Sequence, residues 1–385
     1  MRLPGASRPV SLSAVRGIEG VGAVVASIGE PIRLEAIRVE PPGPEEVRVK
    51  LAASGVCHSD HWAIHNGNWD SPFPMMLGHE GAGVVEDVGE GVEEVAAGDR
   101  VLLAWSVPCG GCRSCLRGAP RRCDHGWTQP PRVFLATTGQ ALAGTLSLGT
   151  LATHTVVHAA QAIKVPEGAD LSRVCLLGCG VSTGVGAAAN TARVWPGATV
   201  AIVGLGGIGL AAIQGARLAG AARLIAVDVV PAKLEWARAV GATDVVDASS
   251  GDAVAAVRDL TAGLGADIAL EATGVPSVVP QIVAMLARGG VAVAIGVPPP
   301  GSEVTLDWST GPGAAYPNKA SLLITDGGDA VREDFVAWLD RAVDGSLDLD
   351  ALVTREAALS EESIEEAFRA MFGGEVVRTV IRIDG

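Results

Sequence analysis

Apolar and polar positions alternate with a period of two in short runs between Val21 and about Leu103. These runs are "RLEAIRVE", "VRVKLAASG", "GAGVVEDVG" and "GDRVLLAW", separated by turn-forming stretches such as "PPGPEE". They predict a mostly antiparallel, barrel-like first domain. From about Val181 the period changes, and "TVAIVGLGGIGLAAIQGARLAG", "RLIAVDVV", "KLEWARAVGA", "DVVDAS", "DAVAAVRDL", "DIALEATG", "PQIVAMLARGG" and "VAVAIGV" alternate buried strands with helical segments. That alternation predicts βαβ units in a parallel, doubly wound sheet. After about Thr325 the chain turns helical and charged in "REDFVAWLDRAV" and "EESIEEAFRAM", then strand-like in "EVVRTVIRI", a tail expected to return to the first domain. The fold class is α/β, with one domain over residues 1–180 completed by 326–385 and a second over 181–325.

The second domain opens on "AIVGLGGIG", where Gly204, Gly206 and Gly209 stand as G-x-G-x-x-G between a strand and a helix, with Gly207 and Ile208 inside the loop. The first glycine permits a tight turn, the second lets backbone N–H groups approach a pyrophosphate, and the third lets helix pack on strand. Asp228 ends the next strand, 19 residues after Gly209. A carboxylate there accepts hydrogen bonds from both adenosine ribose hydroxyls and repels a 2′-phosphate, which favours NAD over NADP. Lys233, one of four lysines, lies within reach of the same ribose. The competing reading is a packing loop with a solvated acid and lysine, but strand, loop and acid agree.

Seven cysteines, an odd number, point to thiolates used as ligands or nucleophiles rather than to a disulfide framework. Cys109, Cys112, Cys115 and Cys123 follow C-x2-C-x2-C-x7-C on a short Gly- and Pro-bearing lobe, a spacing that closes a tetrahedron around Zn²⁺. Four cysteines also suit an iron–sulfur cluster, the alternative left open here. Cys57, His79 and Cys179 supply two thiolates and an imidazole, an incomplete tetrahedron with one free corner. Each of the three alone would read as a buried cysteine or a satisfied core histidine.

In order along nearly the whole chain, "GVCHSD", "GHEGAGVVEDVGEGV", the four-cysteine lobe, "GCGVSTG", "GLGGIG" and "VVRTV" resemble the zinc-dependent medium-chain alcohol dehydrogenases. The resemblance implies a GroES-like β-barrel catalytic domain joined to a doubly wound Rossmann domain, two Zn²⁺ per chain, NAD, and a homodimer or homotetramer. It further implies Cys57, His79 and Cys179 as ligands of a catalytic zinc, with Glu80 and Asp60 around it, and the four lobe cysteines as ligands of a structural one. Asp60 is placed to accept the spare ring N–H of His79. Ser59 matches the hydroxyl that takes the alcohol proton, and Trp62 stands where the family's terminal histidine is usual, so proton release is expected to end in solvent water. His58 occupies the place of an arginine that meets the pyrophosphate, with which Arg378 also pairs. The resemblance implies that Trp62, Trp105 and Val297 line the substrate pocket, Val297 also bordering the cofactor, and that Thr183 and Ile208 flank the nicotinamide. Ordinary core packing is the rival for Val297 and Ile208. Cys175 reads as a buried free thiol, and His61, His65, His125, His154 and His158 match no motif.

Reversible oxidation of a primary or secondary alcohol is the activity implied. "CLLGCGVSTG" further resembles the branch containing thiol-dependent formaldehyde dehydrogenases, whose anionic substrate would need basic residues such as Arg113, Arg117, Arg121 or Arg122 at the pocket mouth. The rival of another class is a zinc-stabilised binding protein without catalysis, which loss of a ligand or of Asp228 would have favoured. A net charge of −14 and a pI near 5.0 argue against nucleic acid as a partner. No apolar run reaches the ~18 residues of a bilayer span and the N-terminus carries no continuous apolar h-region, so the chain is expected in the cytoplasm with no membrane partner.

Overall fold

In the computed structural model of the chain, residues 17–67, 72–123, 129–309 and 314–383 are described. Among them, strands from the first part of the chain, joined by two from the tail, build two sheets. One runs Val133–Leu135, Arg33–Val39, Ile18–Val25, Met75–Met76, Ala143–Gly144 in spatial order. The other runs Ala162–Lys164, Arg100–Leu103, Glu80–Val88, Glu46–Gly55, Arg378–Arg382, Val353–Ala358, with His154–His158 also on Glu46–Gly55. Their facing side chains, among them Ile37, Val39, Val49, Leu51, Val101 and Leu103, form one buried cluster. Glu46–Gly55 begins with alternating burial and ends buried at every position, so the chain dives inward just before Cys57.

The tail returns as its apolar pattern suggested, with Val380–Arg382 antiparallel to residues 53–55. The strand Val353–Ala358 beside it was not expected. Its "VTREAA" alternates half-buried and exposed positions and lies at the sheet edge, where one face meets solvent and charges are tolerated.

Between Thr199 and Ile324 six strands form a parallel sheet. Counted from Thr199–Val203 the spatial order is 3-2-1-4-5-6, that of a doubly wound nucleotide-binding sheet. Its fifth strand, Leu286–Ala294, starts earlier than the "VAVAIGV" run, because Leu286 already pairs with Ala266 before a register shift. The α/β fold class, a β-barrel with a doubly wound sheet, is thus as expected. One core, including Leu102, Leu176, Val181, Ile202, Leu210 and Phe335, runs through both parts. The apolar helical stretch Leu171–Thr191 bends by 59° at Cys179, and no single helix among the described residues is long and apolar enough to cross a membrane.

Candidate metal centre and cofactor cleft

Three separate elements carry the candidate ligands. Cys57 follows the inward-running strand and is the N-cap residue of the helix His58–Asn66. His79 precedes the strand Glu80–Val88, after Gly78, whose φ of +93° and close approach to Leu151 N (2.3 Å from a Cβ placed there) exclude a side chain. Cys179 sits at the bend, with φ −147° and ψ −76°, and opens the helix Gly180–Gly186. The ligand atoms of Cys57, His79, Glu80 and Cys179 all lie within 4.8 Å of one another, and all four residues are buried.

Asp60, fully buried, accepts a hydrogen bond from Gly78 N–H (2.9 Å) and stands 3.1 Å from His79 Nδ1. The carboxylate therefore holds the proton on Nδ1 and turns the lone pair of Nε2 toward the thiols. His79 Nε2 is buried without a hydrogen-bond partner. An orphaned imidazole nitrogen beside two free thiols fits a zinc ion, which takes sulfur and nitrogen donors. Hydrogen bonding to Cys179 holds Cys57 well below the usual thiol range, and the same contact, with burial, raises Cys179. Ser59 Oγ lies 3.7 Å from Cys57 Sγ.

Glu80 accepts Gly180 N–H at 3.0 Å through one oxygen and pairs with the Arg378 guanidinium through the other. Burial pushes its carboxyl up to about 7 against the pull of that cation. Arg378, only 6% exposed, is held on Glu80 while its aliphatic stem rests against the glycine loop, 2.5 Å from where a Gly207 Cβ would stand. It thus touches both the metal-side carboxylate and the loop.

Within that loop the glycines divide their tasks. Gly204 has φ +90° and would place a Cβ 2.5 Å from Thr273 Cγ2, and a Gly209 Cβ would meet Gly204 O at 1.9 Å. A Gly206 Cβ would meet nothing, so this position faces open space where a pyrophosphate can approach. Asp228 Oδ2 accepts Leu205 N–H (2.7 Å) and Oδ1 accepts Val230 N–H (3.0 Å), which fixes the carboxylate beside the loop. Gly184 packs against Ile208 O, bringing Thr183, bonded to Cys179 O at 2.8 Å, beside the half-buried Ile208. Val297 is 59% exposed, so core packing does not account for it.

Comparison with known proteins meets this geometry. Residues 43–167 match the family model "Alcohol dehydrogenase GroES-like domain", and residues 207–342 match "Zinc-binding dehydrogenase". The chain is 37% identical to S-(hydroxymethyl)glutathione dehydrogenase of Escherichia coli O1:K1 over 94% of its own length and 98% of that protein's. It belongs to the zinc-dependent medium-chain alcohol dehydrogenases. A relative of the same name from Synechocystis is also 37% identical, over 93% of this chain and 98% of the relative. Among solved structures, benzyl alcohol dehydrogenase from Acinetobacter calcoaceticus superposes with a TM-score of 0.85 at 30% identity, covering 95% of this chain and 99% of that one. An alcohol dehydrogenase zinc-binding domain protein from Burkholderia ambifaria gives 0.87 at 32%, covering 96% and 100%.

This dehydrogenase carries a second cysteine cluster on a lobe. The sulfurs of Cys109, Cys112, Cys115 and Cys123 lie within 4.8 Å of one another. Cys123 is 3.5 Å from Cys109 and 3.8 Å from Cys112. Burial opposes charge on these thiols, yet N–H groups of Gly111 and Cys112 bring Cys109 down to about 7, while Cys115 is pushed up to about 12. Arg121 is committed to Asp334, at 2.5 and 3.1 Å, and to Asp329 O, clamping the lobe to the helix Arg332–Val343 rather than facing a substrate. Arg117 leans on Ser114 Oγ at 3.5 Å.

Trp105 is half-buried against Gly327, 3.2 Å from a Cβ built there, and Trp62 is half-buried on the helix after Cys57. His58 is exposed and packs edge-on against Phe372, ring centroids 5.1 Å apart. His154 and His158 pair with Glu86 and Glu45 at 3.4 and 3.9 Å. Cys175 is buried and burial raises its thiol pKa. His125 lies outside the described residues. Sequence reasoning missed the loop at Gly327 and Gly328, which packs on Trp105, Ser182 and Thr183, although the adjacent glycines were a turn signal.

Proposed function

We propose that this dehydrogenase oxidises primary or secondary alcohols reversibly with NAD, using one zinc held by Cys57, His79 and Cys179 and a second, closed within the four lobe cysteines. The observation that carries the reading is the buried Nε2 of His79, without a hydrogen-bond partner, within 4.8 Å of two free thiols. Zinc there supplies Lewis acidity that eases loss of the alcohol's proton, and NAD supplies the hydride acceptor. The chain does the rest. Asp60 fixes the His79 tautomer, and Ser59 Oγ accepts the alcohol proton as it passes its own hydroxyl proton outward, since a neutral serine hydroxyl is too weak a base to hold both. Glu80 and Arg378 balance a carboxylate against a guanidinium in a dry site, so neither charge stands alone behind the thiols. The glycine loop and Asp228 hold the dinucleotide, and Thr183, Ile208 and Val297 border its nicotinamide end. Residues 1–180 with 326–385 form the metal-bearing domain and 181–325 the cofactor domain.

The relatives' name favours a second reading, oxidation of a formaldehyde–thiol adduct. NADH formation across a panel of alcohols, and with formaldehyde in the presence and absence of glutathione, separates the two. Alcohol oxidation without thiol supports the main reading, and formaldehyde oxidation only with thiol supports the second.

Two further expectations arise here. Asp228→Gly should narrow the preference for NAD over NADP, chiefly through the cofactor KM, because its carboxylate excludes a 2′-phosphate. A wild type faster with NADP at subsaturating cofactor would contradict that. The outer strand Ser321–Ile324 of the parallel sheet leaves Ile324 81% exposed beside an edge that no other strand among the described residues pairs with, which supports assembly with a second copy. Sedimentation of the full chain reads this directly, and a single-chain mass would contradict it.

A further inference from the structure

Outside both cysteine clusters, on the helix that follows Cys57, the described residues bring imidazoles together. His61 and His65 stand four positions apart on the helix His58–Asn66, and their ring centroids are 4.3 Å apart with planes tilted by 52°. Positions i and i+4 lie one turn apart on the same helix face, the spacing by which helix-borne histidine pairs chelate zinc. A Zn–N distance of ~2.0–2.1 Å with a tetrahedral opening places two imidazole centroids on the order of 5 Å apart. His65 is exposed, so a small turn of its ring reaches that separation.

The His61 ring is set by its neighbours. Phe372 and Phe368 of the helix Glu361–Phe372 meet it edge-on, with centroids 4.5 and 5.5 Å away. Partial burial, then repulsion from His65 and His58, lowers its pKa, which favours the uncharged ring with a nitrogen lone pair to donate. No step of the alcohol chemistry described above uses either ring.

We propose that His61 and His65 form a third metal site, a two-imidazole clamp for a divalent transition ion, with its remaining coordination positions open to water. Imidazole pairs select zinc, nickel and copper over magnesium and calcium, which prefer oxygen donors.

The test titrates zinc-loaded, untagged, full-length protein with Ni²⁺ by calorimetry at neutral pH, with zinc content measured before and after. Wild type should take up one Ni²⁺ per chain with zinc retained. His61→Ala and His65→Ala should each weaken Ni²⁺ binding by at least the ~10–100-fold that loss of even a supporting partner costs a metal site. His154→Ala, on the strand His154–His158, should bind Ni²⁺ like wild type. Because His65 is exposed, His65→Ala keeps the test interpretable if His61→Ala disturbs the Phe368 and Phe372 packing. Absence of Ni²⁺ uptake by wild type, uptake matched by zinc release, or equal uptake by wild type and the His61→Ala/His65→Ala double variant would overturn the proposal.

Discussion

Cys57→Ala and Cys179→Ala should each lower alcohol turnover by at least about 10³-fold while leaving a folded protein, since Lewis-acid assistance contributes several kcal/mol and each ~1.4 kcal/mol is tenfold in rate. Both thiols are buried beside His79 Nε2, and each replacement opens the ligand set without touching the core that surrounds it. Cys112→Ser should behave differently. It opens a closed four-sulfur site on the lobe that Arg121 clamps to Asp334, so it should lower the melting temperature more than it lowers the rate of protein that remains folded. Thermal unfolding measured beside kcat distinguishes the two clusters. If Cys112→Ser abolished turnover at unchanged stability, or if Cys179→Ala kept wild-type kcat, the division of roles would be wrong.

Ser59→Ala should cost about 10²- to 10⁴-fold in kcat, the range for a positioned proton-transfer group. Its hydroxyl lies 3.7 Å from Cys57 Sγ, whereas His61 is packed among His65, Phe368 and Phe372. His61→Ala and His65→Ala should therefore cost less than about tenfold, well under a general acid–base step. Trp62 has no basic nitrogen, so Trp62→His should add a proton acceptor and raise oxidation at the lower end of the pH range. The pH profile of kcat for these variants with one alcohol reads the prediction. Loss of most activity and of the acidic limb in His61→Ala alone would make His61 the terminal acceptor and contradict it.

What could be seen in the sequence followed from local chemistry. The glycine loop, Asp228 and the two cysteine sets are defined by residue type at fixed spacing, and the structure gathers each set. Period-two and βαβ patterns were legible because most strands have an apolar face. The strand Val353–Ala358 was not, since its "VTREAA" carries little apolar signal and forms only beside Arg378–Arg382. Long-range partnerships were equally hidden. Nothing local says that Arg121 meets Asp334, 213 positions away, or that Arg378 meets Glu80, 298 positions away. Those contacts depend on how the tail folds back on the barrel, and they decide which cations remain free for a ligand.

The central claim is that zinc held by Cys57, His79 and Cys179 drives NAD-linked alcohol oxidation. It is tested most directly by following NADH absorbance with an alcohol while zinc content is measured in native, chelator-treated and zinc-restored protein. The account predicts two zinc ions per chain in active enzyme, loss of NADH formation when the ion held by Cys57, His79 and Cys179 leaves, and its return when that ion is restored. Full alcohol oxidation by protein holding one zinc or fewer would contradict it.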